Sequence, residues 1–299
     1  MTWANAALLS AGIMALVSVF DSHLVSKRLP SLRAFMLPVG VIHLVLAVIT
    51  AFVVPLPVSL LSSPVGFALL SSFIRVGAIL ILLDSLRREE VSTVIPIVYT
   101  YPVLVAVMAS VFLDERLESL QWAAVCIVVV GAVLVSVGRG PSRSDVVRPR
   151  AALLFLSSLL FAAADVTGKQ ALADISSWNL FSVGAATMGV VFISLGLRPY
   201  VIRSIRELPD HGRALALVAG NEVLAPVGIV MSYWALERGP VSLVSTLISS
   251  RPLFVVLFAL LLSRIAPRFL FWTGGRRTVL LRVAATVLIV GGIAIIEIH

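Results

Sequence analysis

One segment constrains this chain more than any other because most of its pattern occurs twice. It reads LDSLRREEVSTVIPIVYTYPVLVAVMASVFLDERLESLQWAAVCIVVVGAVLVSVG, from Leu83 to Gly138. Two long apolar runs flank the short charged turn Asp114, Glu115, Arg116, the pattern of two membrane-crossing helices joined by a tight hairpin. Shifted by 150 positions, its first part returns: Leu86, Arg88, Val91, Ser92, Val94, Pro102 and Val105 become Leu236, Arg238, Val241, Ser242, Val244, Pro252 and Val255. After an insertion of ten residues, Val130 and Gly131 match Val290 and Gly291. The chain therefore reads as two copies of one membrane unit.

Composition agrees. With 60% hydrophobic and 13% charged residues and a mean hydropathy of +1.08, too little charge is present to clothe a soluble globule of this length. Ten spans of about 20 residues use about 200 positions and leave only short loops. The net charge of +8 lies between apolar runs rather than along one face, which speaks for membrane topology and against nucleic acid. Cys126, the single cysteine, sits inside an apolar run, so no disulfide framework or cysteine metal site is available; it reads as a small core residue.

The first run, Trp3 to Leu24, is followed by Lys27, Arg28 and Arg33 and preceded by no base. This is the reverse of a secretory signal and marks a retained helix. Further spans are expected at Ala34 to Val54, stopped by Pro55 and Pro57, at Pro64 to Ser85, Val91 to Leu113 and Ser119 to Gly138. The linker RGPSRSDVVRPR, residues 139–150, separates a first unit, 1–138, from a second, 151–299. In the second, spans are expected at Ala151 to Ala171, Trp178 to Arg198, Gly212 to Leu236, Pro240 to Ser263 and Thr278 to Glu297. The fold class is an all-α membrane protein of ten transmembrane helices. Because each unit has an odd number of spans, the second lies upside down relative to the first, the inverted-repeat plan of secondary transporters. A weaker echo aligns Lys27 with Lys169, setting His23 against Asp165 and Leu24 against Val166.

Loops after odd-numbered spans hold 18 Lys and Arg, and loops after even-numbered spans hold three, Arg116, Lys169 and Arg238. The positive-inside rule puts the basic set in the cytoplasm and both termini outside.

The segment Ser92 to Pro102, the stretch LDERLESLQWAAVCIVVVGAVLV from Leu113 to Val135, and the two-unit layout resemble the drug/metabolite transporter superfamily, specifically its EamA-type permeases. In that family the turn after the fourth helix commonly carries Glu-Arg-Leu, matched here by Glu115, Arg116 and Leu117. The second unit departs from this, with Ser263, Arg264 and Ile265 and a longer loop to Arg277. The resemblance implies a bacterial inner-membrane exporter of small metabolites, with a central cavity lined by helices 1, 3, 4, 6, 8 and 9. Fold membership does not fix the substrate.

Candidate functional residues follow from what a bilayer tolerates. Pro96, Pro102, Pro226 and Pro252 interrupt spans. The matched Pro102 and Pro252 are candidate hinges for rocking between outward and inward states, with static packing as the alternative. Ser242, Ser245, Ser249 and Pro252 share one face of the ninth span, and Asn221, Ala225, Gly228 and Ser232 share one face of the eighth; such stripes line permeation paths or serve close helix packing. Tyr99, Thr100 and Tyr101 place hydroxyls at substrate depth, or pack as satisfied core. Arg75, Glu222 and Arg251 each fall about ten residues into their spans, near the midplane, where charge is costly unless paired or wetted. Arg75 aligns with Ala225 and Arg251 with Tyr101, so these charges break the repeat. If Glu222 pairs with one arginine, the other is free to meet a substrate carboxylate or phosphate; a salt bridge beside a snorkelling arginine is the rival account.

The candidate substrate-binding set is thus Arg75, Tyr99, Tyr101, Asn221, Ser249 and Arg251. Glu222 is the candidate ion-coupling residue, with Asp165 its substitute because Asp165 and Lys169 share a helical face. Asp21 and Asp165 otherwise read as solvated positions near helix ends, and His43 as a hydrogen-bonded core residue. No HExxH, GxxxxGKS, GxSxG or cysteine pair is present, so catalysis, ATP drive, cofactors and metals are not expected. The expected partners are the lipid bilayer and a small-molecule substrate, with a homodimer left open. The reading is a proton-coupled secondary transporter exporting a small polar or amphipathic metabolite, an amino acid among the options. Its rivals are a flippase-like translocator of a lipid-linked headgroup and an embedded enzyme, for which no acid, base or metal cluster is offered.

Overall fold

The computed structural model describes residues 1–24, 28–59, 61–88, 94, 97–137, 148–265 and 276–298. Lys27, Pro96, most of the linker 139–150 and the loop 266–275 lie outside them, as does the side chain of His23. The described residues form helices α1 (Trp3–His23), α2 (Leu32–Val53), α3 (Ser63–Arg88), α4 (Tyr101–Phe112), α5 (Ser119–Val137) and α6 (Arg148–Ala171). These are followed by α7 (Ser177–Gly196), α8 (Pro199–Arg206), α9 (His211–Arg238), α10 (Val241–Ile248), α11 (Arg251–Ile265) and α12 (Arg276–Ile298). Seven stretches are long and apolar enough to cross a membrane, and three shorter apolar helices stand at the expected fourth, fifth and tenth spans.

Helix starts are fixed by hydroxyl caps that satisfy orphan N–H groups. Thr2 accepts from Asn5 N at 3.2 Å and Ser31 from Ala34 N at 3.1 Å; Ser176 and Asn179 form a reciprocal capping box at α7. The seventh span stops at Gly196, earlier than the expected Arg198. Pro199 then starts α8, a short helix not anticipated from the sequence, which buries Val201 and Ile205.

Two expected continuous spans are broken. The fourth gives way at Tyr99 and Thr100 before α4, and the ninth at Ser249 and Ser250, between α10 and α11. The two breaks are built alike. Thr100 N bonds Ile97 O at 3.3 Å and Val103 N bonds Thr100 O at 3.2 Å, while Ser250 N bonds Leu247 O at 3.1 Å and Leu253 N bonds Ser250 O at 2.9 Å. Even the hydroxyls agree, with Thr100 Oγ1 donating to Ile97 O at 2.7 Å and Ser250 Oγ to Leu247 O at 2.6 Å. Pro102 and Pro252 cannot donate to the ladder, which is why each helix restarts just before its proline.

The helices pack in pairs that cross the midpoint of the chain: α2 on α7, α3 on α6, α5 on α12, α1 on α9 and α4 on α10. Small residues set these contacts, as expected where lipid is as apolar as the helix faces. On α2 and α7, a methyl group added at Gly40 would come to 2.9 Å from Phe192 Cβ, and one at Gly189 to 2.9 Å from Leu44 N. On α5 and α12, Gly131 faces Ile289 and Ala285, and Gly292 faces Val128 and Ala124. The partner of Gly131 in this arrangement is Gly292 rather than the expected Gly291, which has nothing within 4 Å. Cys126, expected in the core, is exposed on α5.

Candidate functional site

Two groups of buried ionic side chains flank the broken spans, and each joins residues from both halves of the chain. The first lies between α3 and α6. Arg75 Nη2 donates to Asp165 Oδ1 at 2.8 Å, with side chains 24% and 7% exposed. Ser245 Oγ on α10 donates to Asp165 Oδ2 at 2.6 Å, so both carboxylate oxygens are engaged. The guanidinium stands 5.6 Å from the centre of the Tyr233 ring, close enough for cation–π attraction. Tyr101, the first residue of α4, donates its hydroxyl to Ser245 O at 3.2 Å, and its ring packs 6.2 Å from that of Phe161.

The second group lies between α1, α2 and α9. Asn221 Nδ2 donates to Asp21 Oδ1 at 2.7 Å. Next on α9, Glu222 Oε2 is 3.4 Å from His43 Nδ1, with both side chains about 95% buried. His43 Nδ1 is also 3.0 Å from Val39 O. Val39 O can only accept, so the proton is assigned to Nδ1, which donates to it. Arg251, the first residue of α11, faces Tyr99 and Tyr101 and lies within electrostatic reach of Asp21. Among the described residues its Nε is buried without a hydrogen-bond partner, as are Asn221 Oδ1 and, in the first group, Arg75 Nε.

Several expected contacts are replaced by others. Glu222 pairs with His43 and not with Arg75 or Arg251, because α9 packs on α2 while Arg75 points to α6. Asp165 is buried and closed by Arg75 rather than solvated. Lys169 turns away from it and donates to Leu236 O at 2.6 Å and Gly239 O at 2.8 Å, where it neutralises the last carbonyls of α9. Asp21 is half-buried against Asn221 instead of free in solvent.

Of the serine stripe, Ser245 reaches the site, Ser242 binds Glu115, and Ser249 Oγ donates back to Thr246 O at 2.7 Å. Of the stripe on α9, Asn221 joins the second group, while Gly228 packs against α1: its carbonyl accepts from Ser10 at 2.8 Å, and a methyl there would come to 2.8 Å from Met14. The structure adds Asp21, His43, Tyr233 and Ser245 to the expected residues. Ser245 carried a signal in the polar stripe of its span, and Asp21 and His43 as ionisable groups in apolar runs; Tyr233 carried none. Among the described residues no His, Cys, Asp or Glu group has the arrangement of a metal site.

Comparison with known proteins follows the same outline. The EamA-like transporter family model matches residues 1–137 and again 149–297. A solved structure described only as the crystal structure of a protein superposes with a TM-score of 0.70 at 17% identity, covering 99% of this chain and 95% of that one; at that identity the likeness speaks for the fold alone. No curated protein matches by sequence.

Proposed function

This chain belongs to the EamA-like transporter family, within the drug/metabolite transporter superfamily, and from that premise we propose that it is a proton-coupled secondary transporter. It exports a small polar or amphipathic metabolite by alternating access. It is a multi-pass membrane protein. In this reading ten helices cross the cytoplasmic membrane as two inverted units of five, residues 1–138 and 151–299, with residues 139–150 as the cytoplasmic linker and both termini outside.

The observation that carries the reading is the pair of matched breaks at Thr100 and Ser250, which bring Tyr101 and Arg251 to the ionic groups. Unwound backbone at membrane depth is tolerated where it faces protein or a wet cavity, and transporter sites are built from such discontinuous helices. The pairwise packing of α2 on α7, α4 on α10 and α5 on α12 supports the two-unit plan. Pro102 and Pro252 act as hinges beside the breaks. Arg251 grips an anionic group of the substrate beside Tyr99 and Asn221, with Tyr101 and Ser249, whose hydroxyls donate to Ser245 O and Thr246 O, lining the wall, while Arg75 is held in the wall by Asp165. Glu222 fits ion coupling better than Asp165, whose two oxygens are already held by Arg75 and Ser245.

A second reading, translocation of a lipid-linked headgroup, is favoured by one feature. An apolar cleft between α1, α9 and α11, lined by Leu8, Gly12, Leu16, Leu224, Phe254 and Phe258, would admit an acyl or prenyl chain from the side.

Radiolabelled uptake into inverted vesicles across a metabolite panel separates the readings, since a flippase moves none of the free solutes. For a transported solute, Glu222→Gln is expected to keep exchange down the solute's own gradient and to lose accumulation driven by a pH gradient. Accumulation at the level of the unmodified protein would make Glu222 structural. A reporter active only in the cytoplasm, fused after His299, is expected to be silent.

A further inference from the structure

Among the described residues, and with His43 neutral, the groups between α1, α2 and α9 do not balance in charge. Asp21 and Glu222 carry two negative charges when ionised, Arg251 supplies one positive charge, and His43, whose Nδ1 is 3.0 Å from Val39 O and 3.4 Å from Glu222, supplies none while neutral. A net negative charge inside a bilayer costs several kcal/mol unless a cation joins it. The neighbouring pair of Arg75 and Asp165 sums to zero and has no such need.

A separate observation concerns hydrogen bonding. Asn221 is 4% exposed, and the amide that gives Nδ2 to Asp21 leaves Oδ1 buried with no donor. A buried acceptor without a donor loses its hydration without replacement, at about 1–3 kcal/mol. Among the described residues the place therefore lacks one positive charge and one hydrogen-bond donor, beside two carboxylates.

We propose that Asp21, Asn221 and Glu222 form a seat for one exchangeable monovalent cation, filled either by a proton or by the protonated amine of the solute, never by both. This rests on the transport reading and deepens it, because it names a cationic end for the solute and makes coupling a matter of displacement. A primary ammonium has three N–H donors and no acceptor, enough to reach Asn221 Oδ1 and both carboxylates. A proton on either carboxyl group removes one charge and creates one O–H donor. Among the described residues, the charged and titratable groups facing the seat are Asp21 on α1, His43 on α2, Glu222 on α9, Arg251 on α11 and Tyr99 before α4. Arg251 repels the ammonium and so holds it toward α1 and α9. When the ammonium binds, the resident proton leaves to solvent; when it departs on the other side, a proton returns.

The test measures protons directly. Purified full-length protein in detergent, weakly buffered with an indicator dye, is mixed with n-butylammonium over a pH series, with butanol and tetramethylammonium as controls. Up to one proton per protein is expected to be released by butylammonium and none by butanol. Tetramethylammonium, a cation without N–H donors, should release at least tenfold less at equal concentration. Asp21→Asn and Glu222→Gln should each abolish release, Asn221→Ala should require at least fivefold more butylammonium, and Ser18→Ala should behave as the unmodified protein.

No release from the unmodified protein at any pH would overturn the seat, whether or not the variants fold. So would release that persists in both carboxylate variants. Vesicle uptake reads the transport proposal separately: release without any uptake leaves the seat standing and removes the transporter reading, and uptake without release does the reverse.

Discussion

The contact of α1 with α9 and that of α6 with α3 are built on one plan and filled with different chemistry. In the first, Ser10 Oγ donates to Gly228 O at 2.8 Å; in the second, Ser157 Oγ donates to Ala78 O at 2.9 Å. Taking these bonds as the register, Ser18, rather than the His23 expected from the Lys27 and Lys169 alignment, stands where Asp165 does, and Ala225 where Arg75 does. Gly168 stands where Asp21 does and Ser71 where Asn221 does. Every ionic group is therefore matched by a small or neutral residue across the chain. The scaffold repeats because backbone approach and hydroxyl bonds need only small residues at fixed spacing. The charges do not repeat, which leaves one interface with a closed ion pair and the other with two carboxylates, Asp21 held by Asn221 and Glu222 beside His43.

The largest effect is expected at the closed interface. Removing one partner of a buried pair leaves the other charge uncompensated, at about 3–5 kcal/mol, whereas replacing both with apolar groups is often neutral or better. Arg75→Ala and Asp165→Ala should each lose stability on that scale, read by equilibrium unfolding in mixed micelles. Arg75→Met combined with Asp165→Leu should recover most of it. Equal losses in the double and single variants would show that the pair is not a closed unit, and the contrast with the α1 and α9 side would fail.

How far the sequence reaches is clear from particular residues. The matched breaks were legible as a hinge, since Pro102 and Pro252 fall 150 positions apart in helices of the same pattern; that each hinge is a full interruption depends on Thr100 and Ser250, whose hydroxyls bond back to carbonyls. The ionic partners were not legible. Arg75 and Asp165 are 90 positions apart and Asp21 and Asn221 are 200 apart, and nothing local says which helix faces which. Lipid-facing and core-facing positions are both apolar in a span, so hydropathy does not separate them and does not reveal that Cys126 is exposed. Gly291 and Gly292 are adjacent and chemically equal, and only the approach of Val128 picks out the second.

That last point gives an intermediate effect. Gly40→Ala and Gly189→Ala place a methyl group against the facing backbone across α2 and α7, at 2.9 Å from Phe192 Cβ and from Leu44 N. Overpacking of this kind costs about 1–3 kcal/mol. Gly292→Ala should cost the same, with a methyl at 2.5 Å from Val128. Gly291→Ala, with open space around it, should gain about 0.5–1 kcal/mol through helix propensity. The same unfolding assay ranks the four, and a loss at Gly291 with none at Gly292 would restore the register first read from the sequence.

The smallest effect concerns the turn that the two halves do not share. Glu115 Oε1 accepts from Val241 N at 2.6 Å, and its Oε2 accepts from Ser242 N at 3.2 Å and Ser242 Oγ at 2.5 Å. A carboxylate from the first hairpin thus caps α10 just ahead of its break, where the partial positive charge of a helix start favours an anion. The second hairpin offers Ser263, Arg264 and Ile265 in its place, with no carboxylate to return the contact. Glu115→Gln keeps one acceptor oxygen and loses the charge, so the expected cost is about 0.3–1 kcal/mol. Amide exchange at Val241 and Ser242 should quicken by up to about fivefold, the factor that about 1 kcal/mol represents, while the amides of Val103 and Leu253 beyond the two breaks keep their rates. If α4 and α11 loosen equally with α10, the cap acts on the whole pair of broken spans, and the two halves are less independent at this end than the contrast between their turns implies.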